Sequence, residues 1–140
     1  MLRNWTKDDA LLDVKASAAV VASAAGTVIV DFGDGLVEGN IIIDVTVIDV
    51  ATTDELYTII LQLSPDALFG TAANIMDSYA ITLGAAAARL TDCDKGSVVG
   101  RYVLPFTNEV CGTIYRYGRI YTLLNTTGES ITYAARMVRR

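Results

Sequence analysis

The sequence predicts an all-β fold, a two-sheet β-sandwich of about eight strands with jelly-roll or other Greek-key topology. Three observations carry that expectation. From residue 27 onward, runs rich in Val, Ile, Tyr and Thr are separated by short polar breaks. The breaks hold Gly, Asp, Asn and Pro, the residues that turns demand. No helical pattern alternates with these runs, so a parallel sheet of βαβ units is not indicated.

The elements follow in chain order. Residues 1–26 differ from the rest and read as an N-terminal arm. Their stretch "DVKASAAVVASAAG" is Ala- and Ser-rich and shows no persuasive amphipathic period, which leaves a short helix and an extended arm lying over a sheet both open. Residues 27–140 read as the sandwich. "TVIVDF" precedes the turn Gly33-Asp34-Gly35. "NIIIDVTVIDV" follows as a long strand. One of its faces, Ile41, Ile43, Val45 and Val47, is purely apolar. The other, Asn40, Ile42, Asp44, Thr46, Ile48 and Val50, is mixed, as a face covered by an arm or a partner would be. "LYTIILQLS" is a strand that Pro65 stops. A strand is expected around Met76–Ile81, then an Ala-rich loop and the polar "TDCDKG". "SVVGRYVLPF" and "TIYRYGRIYTLLN" are strands, and "SITYAARMV" is the last, with "TTGE" closing a hairpin between the final pair. The expected inward set is Val28, Val30, Ile41, Ile43, Val45, Val47, Ile59, Leu61, Leu63, Val103, Ile120, Leu124, Ile131 and Tyr133.

Composition bounds the function. The 140 residues form one domain. Hydrophobic residues make up 52% and charged residues only 19%, with mean hydropathy +0.40. A typical soluble domain carries about 25% charged residues. The excess apolar surface points to self-association or a large partner. Net charge −5 and a pI near 4.5 argue against a general nucleic-acid binder. No apolar run approaches the roughly 20 residues of a spanning helix, and no signal peptide is written at the start, so a soluble protein made in the cytoplasm is expected. Cys93 and Cys111 match no metal or redox spacing and are expected as free thiols.

Candidate chemistry is sparse. Histidine is absent, which removes Ser-His-Asp and Cys-His catalysis and the commonest metal ligand. "GDGLVEG" lacks the spacing of a phosphate loop. Asp92 with Asp94, and Asp31 with Asp34, could ligate a cation, but Asp in turns ordinarily bonds the backbone. No catalytic residue, metal site or cofactor is therefore expected. The distinctive run is "YRYGRIY": Tyr115, Tyr117, Arg119 and Tyr121 on one strand face, Arg116 on the other. Tyr with Arg marks interface hot spots, and stacked Tyr could also hold a sugar ring. Arg116, Arg119, Arg136, Arg139 and Arg140 crowd the end of the chain as a candidate basic docking patch.

The segments "LLDVKASAAVVASAAGTVIVDFG" and "VVGRYVLPF…YGRIYTLLN", with the overall length, resemble the small jelly-roll cement (decoration) proteins of tailed-bacteriophage heads, as on a Bordetella podovirus. The resemblance is specific over residues 11–33 and 98–125 and departs at the more charged "MLRNWTKDD". It implies a non-enzymatic role on the outer surface of the virion. The partners would be the major capsid protein and sister copies, with a dimer favoured. The arm, Leu11 to Ala25 and within it Leu12, Val14, Val20 and Val21, would lie on the capsid or a sister subunit. The rival expectation is a carbohydrate- or receptor-binding sandwich.

Overall fold

A computed structural model describes residues 2–4, 11–88 and 94–139 of the chain. Its strands are β1 (Leu2–Asn4), β2 (Leu11–Val20), β3 (Ala24–Ala25), β4 (Ile29–Asp31), β5 (Glu38–Ile48) and β6 (Leu56–Ser64). They continue with β7 (Met76–Gly84), β8 (Gly100–Thr107), β9 (Glu109–Val110), β10 (Thr113–Ile114), β11 (Tyr117–Leu124) and β12 (Ile131–Arg139). Among the described residues the helical elements are 3-10 turns at Ala72–Asn74, Ala86–Ala88 and Asp94–Ser97. No helix among the described residues is long and apolar enough to cross a membrane.

The fold is the all-β sandwich the sequence predicts. One sheet runs β2-β12-β5-β8; the other runs β1-β4-β11-β6-β7, with β3 against β11. β1 joins β4 in parallel, and the larger pairings are antiparallel. Period-2 patterning explains the core. Ile41, Ile43 and Val45 of β5 are buried, as are Ile59, Leu61 and Leu63 of β6, and Ile131, Tyr133 and Met137 of β12. The two sheets are also tied by a polar contact: the hydroxyls of Thr122 (β11) and Tyr133 (β12) meet at 2.5 Å inside the sandwich. Burial holds the Tyr133 phenol up at about 12.

Gly118 shows how tightly the layers meet. A Cβ there would lie 2.7 Å from the Phe32 ring, so only glycine lets β11 pass beneath it. Phe32 in turn packs on Phe106 from β8, ring centres 5.9 Å apart. Cys111 and Gly112 both take positive φ, 50° and 82°, between the paired residues Val110 and Thr113. That is the signature of a two-residue primed hairpin turn. Cys111 is a free, exposed thiol; Cys93 lies outside the described residues.

Four expectations are corrected. Val47 and Val103 point outward, 54% and 52% exposed. A bulge in β5 causes the first: Tyr133 pairs Val45 but Thr132 pairs Val47, so Thr46 is an extra residue and the alternation slips by one. Ile48 packs on the core in place of Val47. Val103 pairs Ile42 and so shares the outer face; Tyr102 and Leu104 take the inner one. Third, β11 and β12 do not form a hairpin. β11 is zipped to β6 over eight residue pairs, while β12 lies between β2 and β5 in the opposite sheet. The turn residues 125–130 therefore arch between layers, which the same Gly-containing sequence permits. Fourth, "TIYRYGRIYTLLN" is not one strand: Tyr115 and Arg116 separate β10 from β11.

The segment 11–20, expected within the arm, is a strand hydrogen-bonded along β12. Lys15 fastens it. Its Nζ donates to the Tyr133 carbonyl at 2.8 Å and sits 4.2 Å from the centre of that ring.

Candidate docking surfaces

Strand pairing sets what each outer face offers, because paired residues share a face. On the four-stranded sheet the outer rows are Val138–Asn40–Pro105, Arg136–Ile42–Val103 and Ala134–Asp44–Arg101. Arg101 reaches Asp44 at 2.7 Å and Arg136 approaches it at 3.6 Å. The Arg101 hydrogen bond holds the Asp44 carboxyl below its ordinary range, against some desolvation. Two guanidiniums thus share one carboxylate, which leaves one positive charge in excess, and the Arg136 Nε is buried without a hydrogen-bond partner. What stands free beside them is apolar: Val103 and Val47, with Val98 and Val99 exposed just before β8. The mixed face of "NIIIDVTVIDV" forms this surface at Asn40, Ile42 and Asp44; past the bulge Val47 takes the outer side and Ile48 the inner.

The other sheet's outer face carries a polar ladder. Arg119 donates from Nε to Gln62 Oε1 at 2.9 Å, and Gln62 donates from Nε2 to Asp77 Oδ1 at 2.9 Å. Phe69, in the loop after β6, stacks under the Arg119 guanidinium at 4.4 Å. Burial lowers the Arg119 pKa.

The predicted site residues therefore scatter. Tyr117, Arg119 and Tyr121 do share one face of β11, each half-buried, but Tyr115 packs against the core instead. No four-residue aromatic shelf forms. Arg116 grips Asp31 in a two-point bridge, Nε to Oδ1 at 2.9 Å and Nη2 to Oδ2 at 3.1 Å, with Asp34 at 3.3 Å. The bridge raises the Arg116 pKa, and the Arg116 hydrogen bond lowers that of Asp31. Arg136 is spent on Asp44, and Arg139 is half-buried. Arg116, Arg119 and Arg136 of the expected basic patch therefore each have a side-chain partner within the chain. In β2, Val14 is buried in the core and Val20 packs on it, while Val21, just past the strand, is 67% exposed. The side chains of Leu11, Leu12 and Asp94, and Asp92 and Arg140 whole, lie outside the described residues. Asp31 and Asp34 are bridged by Arg116, which occupies the place a cation would take.

Sequence reasoning missed Val47 and Val103 as surface residues. The signal for Val103 was its position opposite Ile42, which needs the register; the bulge at Thr46 has no marker in composition. Set against known proteins, the chain matches no family model and no curated protein.

Proposed function

We propose that this protein is a structural cement protein that coats the outside of a tailed-phage head and clamps neighbouring capsid proteins. The observation that carries the reading is the outer face of the four-stranded sheet. Val47 and Val103 stand exposed on it beside Ile42, and Arg101 and Arg136 share Asp44 within the face. A partly apolar sheet face whose Asp44 is shared by two arginines suits contact with another protein surface. Strand order supports the finer fold reading. Taking β2, β4, β5, β6, β7, β8, β11 and β12 in chain order, the sheets read 1-8-3-6 and 2-7-4-5. That is the interleaving of a jelly roll, the architecture such coat proteins use. Repetition on a lattice multiplies each weak contact, and binding only the expanded shell stabilises that state by mass action.

The test is co-sedimentation with expanded and unexpanded heads, with the mass in solution measured by light scattering. A small oligomer that pellets only with expanded heads supports the reading. A monomer that ignores heads sinks it and sends the half-buried Tyr117 and Tyr121 face to a glycan screen.

A further inference from the structure

Two local irregularities of the second sheet converge on one outer row. The row crosses three strands: Arg119 of β11 pairs Gln62 of β6, and Gln62 pairs Asp77 of β7. The first irregularity is a bulge in β7. Leu61 pairs Tyr79 and Gln62 pairs Asp77, so Ser78 is an extra residue, and its hydroxyl donates to the Leu61 carbonyl at 2.8 Å. The bulge re-aims Asp77 onto the row, where Ser78 would otherwise stand. The second irregularity is Phe69. Its backbone is left-handed, φ 50°, a conformation a bulky residue holds only when its surroundings impose it. Asp66 imposes it: Oδ1 accepts from the Leu68 N–H at 3.0 Å and Oδ2 from the Gly70 N–H at 3.1 Å. The result is a buried ring, 6% exposed, laid 4.4 Å from the Arg119 guanidinium.

The row is held but not filled. Phe69 fixes the plane of Arg119, and Gln62 takes only its Nε; Gln62 in turn takes only Oδ1 of Asp77. Among the described residues these bonds leave the two Nη groups of Arg119 and Oδ2 of Asp77 without a partner. Donors thus stand at one end of the row and an acceptor at the other, two strand spacings or about 10 Å apart. Tyr117 and Tyr121 flank Arg119 on the same face of β11. Arg116 already stands 5.4 Å from the Tyr117 ring centre, which leaves Tyr121 as the aromatic face. One cation and one anion share the row, so an anion would meet Asp77 and a cation would meet Arg119.

We propose that this row binds a neutral saccharide. A hydroxyl both donates and accepts, so one ligand can accept from Arg119 and donate to Asp77 while an apolar ring face packs on Tyr121. A few placed polar groups beside an aromatic surface are the usual make-up of a small-molecule site. A charged ligand would gain at one end of the row and lose at the other. The face is open, so the affinity is weak, with Kd about 10⁻³ M, and repetition of the chain on a larger body would multiply it. The site lies on the sheet opposite Val47 and Val103, and it stands whether or not that first face docks on a head.

The experiment screens the full chain at pH 7 by saturation-transfer NMR against neutral oligosaccharides of glucose, galactose and mannose, and against sialylated and sulfated ones. At least one neutral sugar should bind, and the charged ones should bind no better. Asp77→Asn keeps the oxygen that Gln62 uses and removes the free acceptor; it should weaken binding about tenfold. Arg119→Ala should weaken it at least as much. Asp77 is exposed, so Asp77→Asn should unfold at the same denaturant concentration as the parent. If Arg119→Ala fails to fold, Asp77→Asn decides alone. A chain that binds no neutral sugar overturns the proposal. So does binding confined to charged sugars, which would make Arg119 a simple anion contact, and so does binding that Asp77→Asn leaves unchanged.

Discussion

The two ends of the sandwich solve the same problem in opposite ways. β5 and β11 both run between them. At the end where β5 starts, Asn108 is fully buried and every polar atom of its side chain is used. Its Oδ1 accepts from the Val37 N–H at 2.8 Å, and its Nδ2 donates to the carbonyls of Gly35 and Tyr115 at 3.0 and 2.9 Å. One neutral amide thus ties three loops. At the other end, Glu55 and Glu129 are as deeply buried but each leaves an oxygen without a partner. A neutral side chain with both donors and an acceptor can close a loop junction by itself; carboxylates bring acceptors only and need a donor or a cation from elsewhere.

The largest effect should come from breaking the closed end. Asn108→Ala strands the Val37 N–H and two carbonyls in the interior and opens a small cavity. We expect about 3 kcal/mol of lost stability by denaturant unfolding. A loss under about 1 kcal/mol would mean the loops satisfy one another without the amide. Next comes Gly118→Ala, whose Cβ would press on the Phe32 ring; the cost should be about 2 kcal/mol, typical of overpacking.

Smaller again is the Asp31–Arg116 bridge at the same end, where Arg116 is partly exposed. Arg116→Ala should cost less than either of those, since solvent screens the pair. The pH dependence is more telling than the size. The Asp31 pKa is lowered from 3.8, so its contribution is full above that value and is lost as pH falls through the lower folded-state value. Glu129 has the opposite sign. Its pKa is raised from 4.5, so its contribution is full below pH 4.5 and is lost as pH rises through the raised value. Across those two windows, Asp31→Asn should flatten the acid limb of the stability profile and Glu129→Gln the limb above pH 4.5. Identical profiles for both variants would erase the contrast between the ends.

Much of the fold was legible. Period-2 patterning located the long strands and the inner faces of β5, β6 and β12, because those faces are uniformly apolar. Side-chain polarity says nothing about which sheet a strand joins. The Gly128 turn therefore read as a hairpin, and segment 11–20 read as an arm because small residues suit an edge strand as well as a loose one. Phase was lost wherever both faces are apolar, at Val103, or where a bulge resets it, at Thr46. The candidate surface suffered from the same blindness. Arg116 and Arg119 look free in the sequence, yet their partners Asp31 and Gln62 lie 85 and 57 residues away. The acidic end of the sandwich is hidden for the same reason, Glu55 and Glu129 belonging to separate turns.

The smallest stability effect should fall on the face between the ends, and there it should have the largest consequence for binding. Val47→Asp with Val103→Asp alters two exposed side chains on the outer surface of the four-stranded sheet. Nothing in the core leans on them, so stability should change by no more than about 0.5 kcal/mol per site. If that face docks on a head, burying two new carboxylates against the partner should lower occupancy at least tenfold in the pelleting assay, since each uncompensated charge costs several kcal/mol. Asn108→Ala should do the reverse: lower stability, with occupancy kept while the protein remains folded. That crossing of effects separates a surface kept for contact from ends kept for folding. Equal occupancy for the double-Asp variant would move the contact to the opposite sheet, where Tyr117 and Tyr121 lie half-buried beside the Arg119–Gln62–Asp77 ladder.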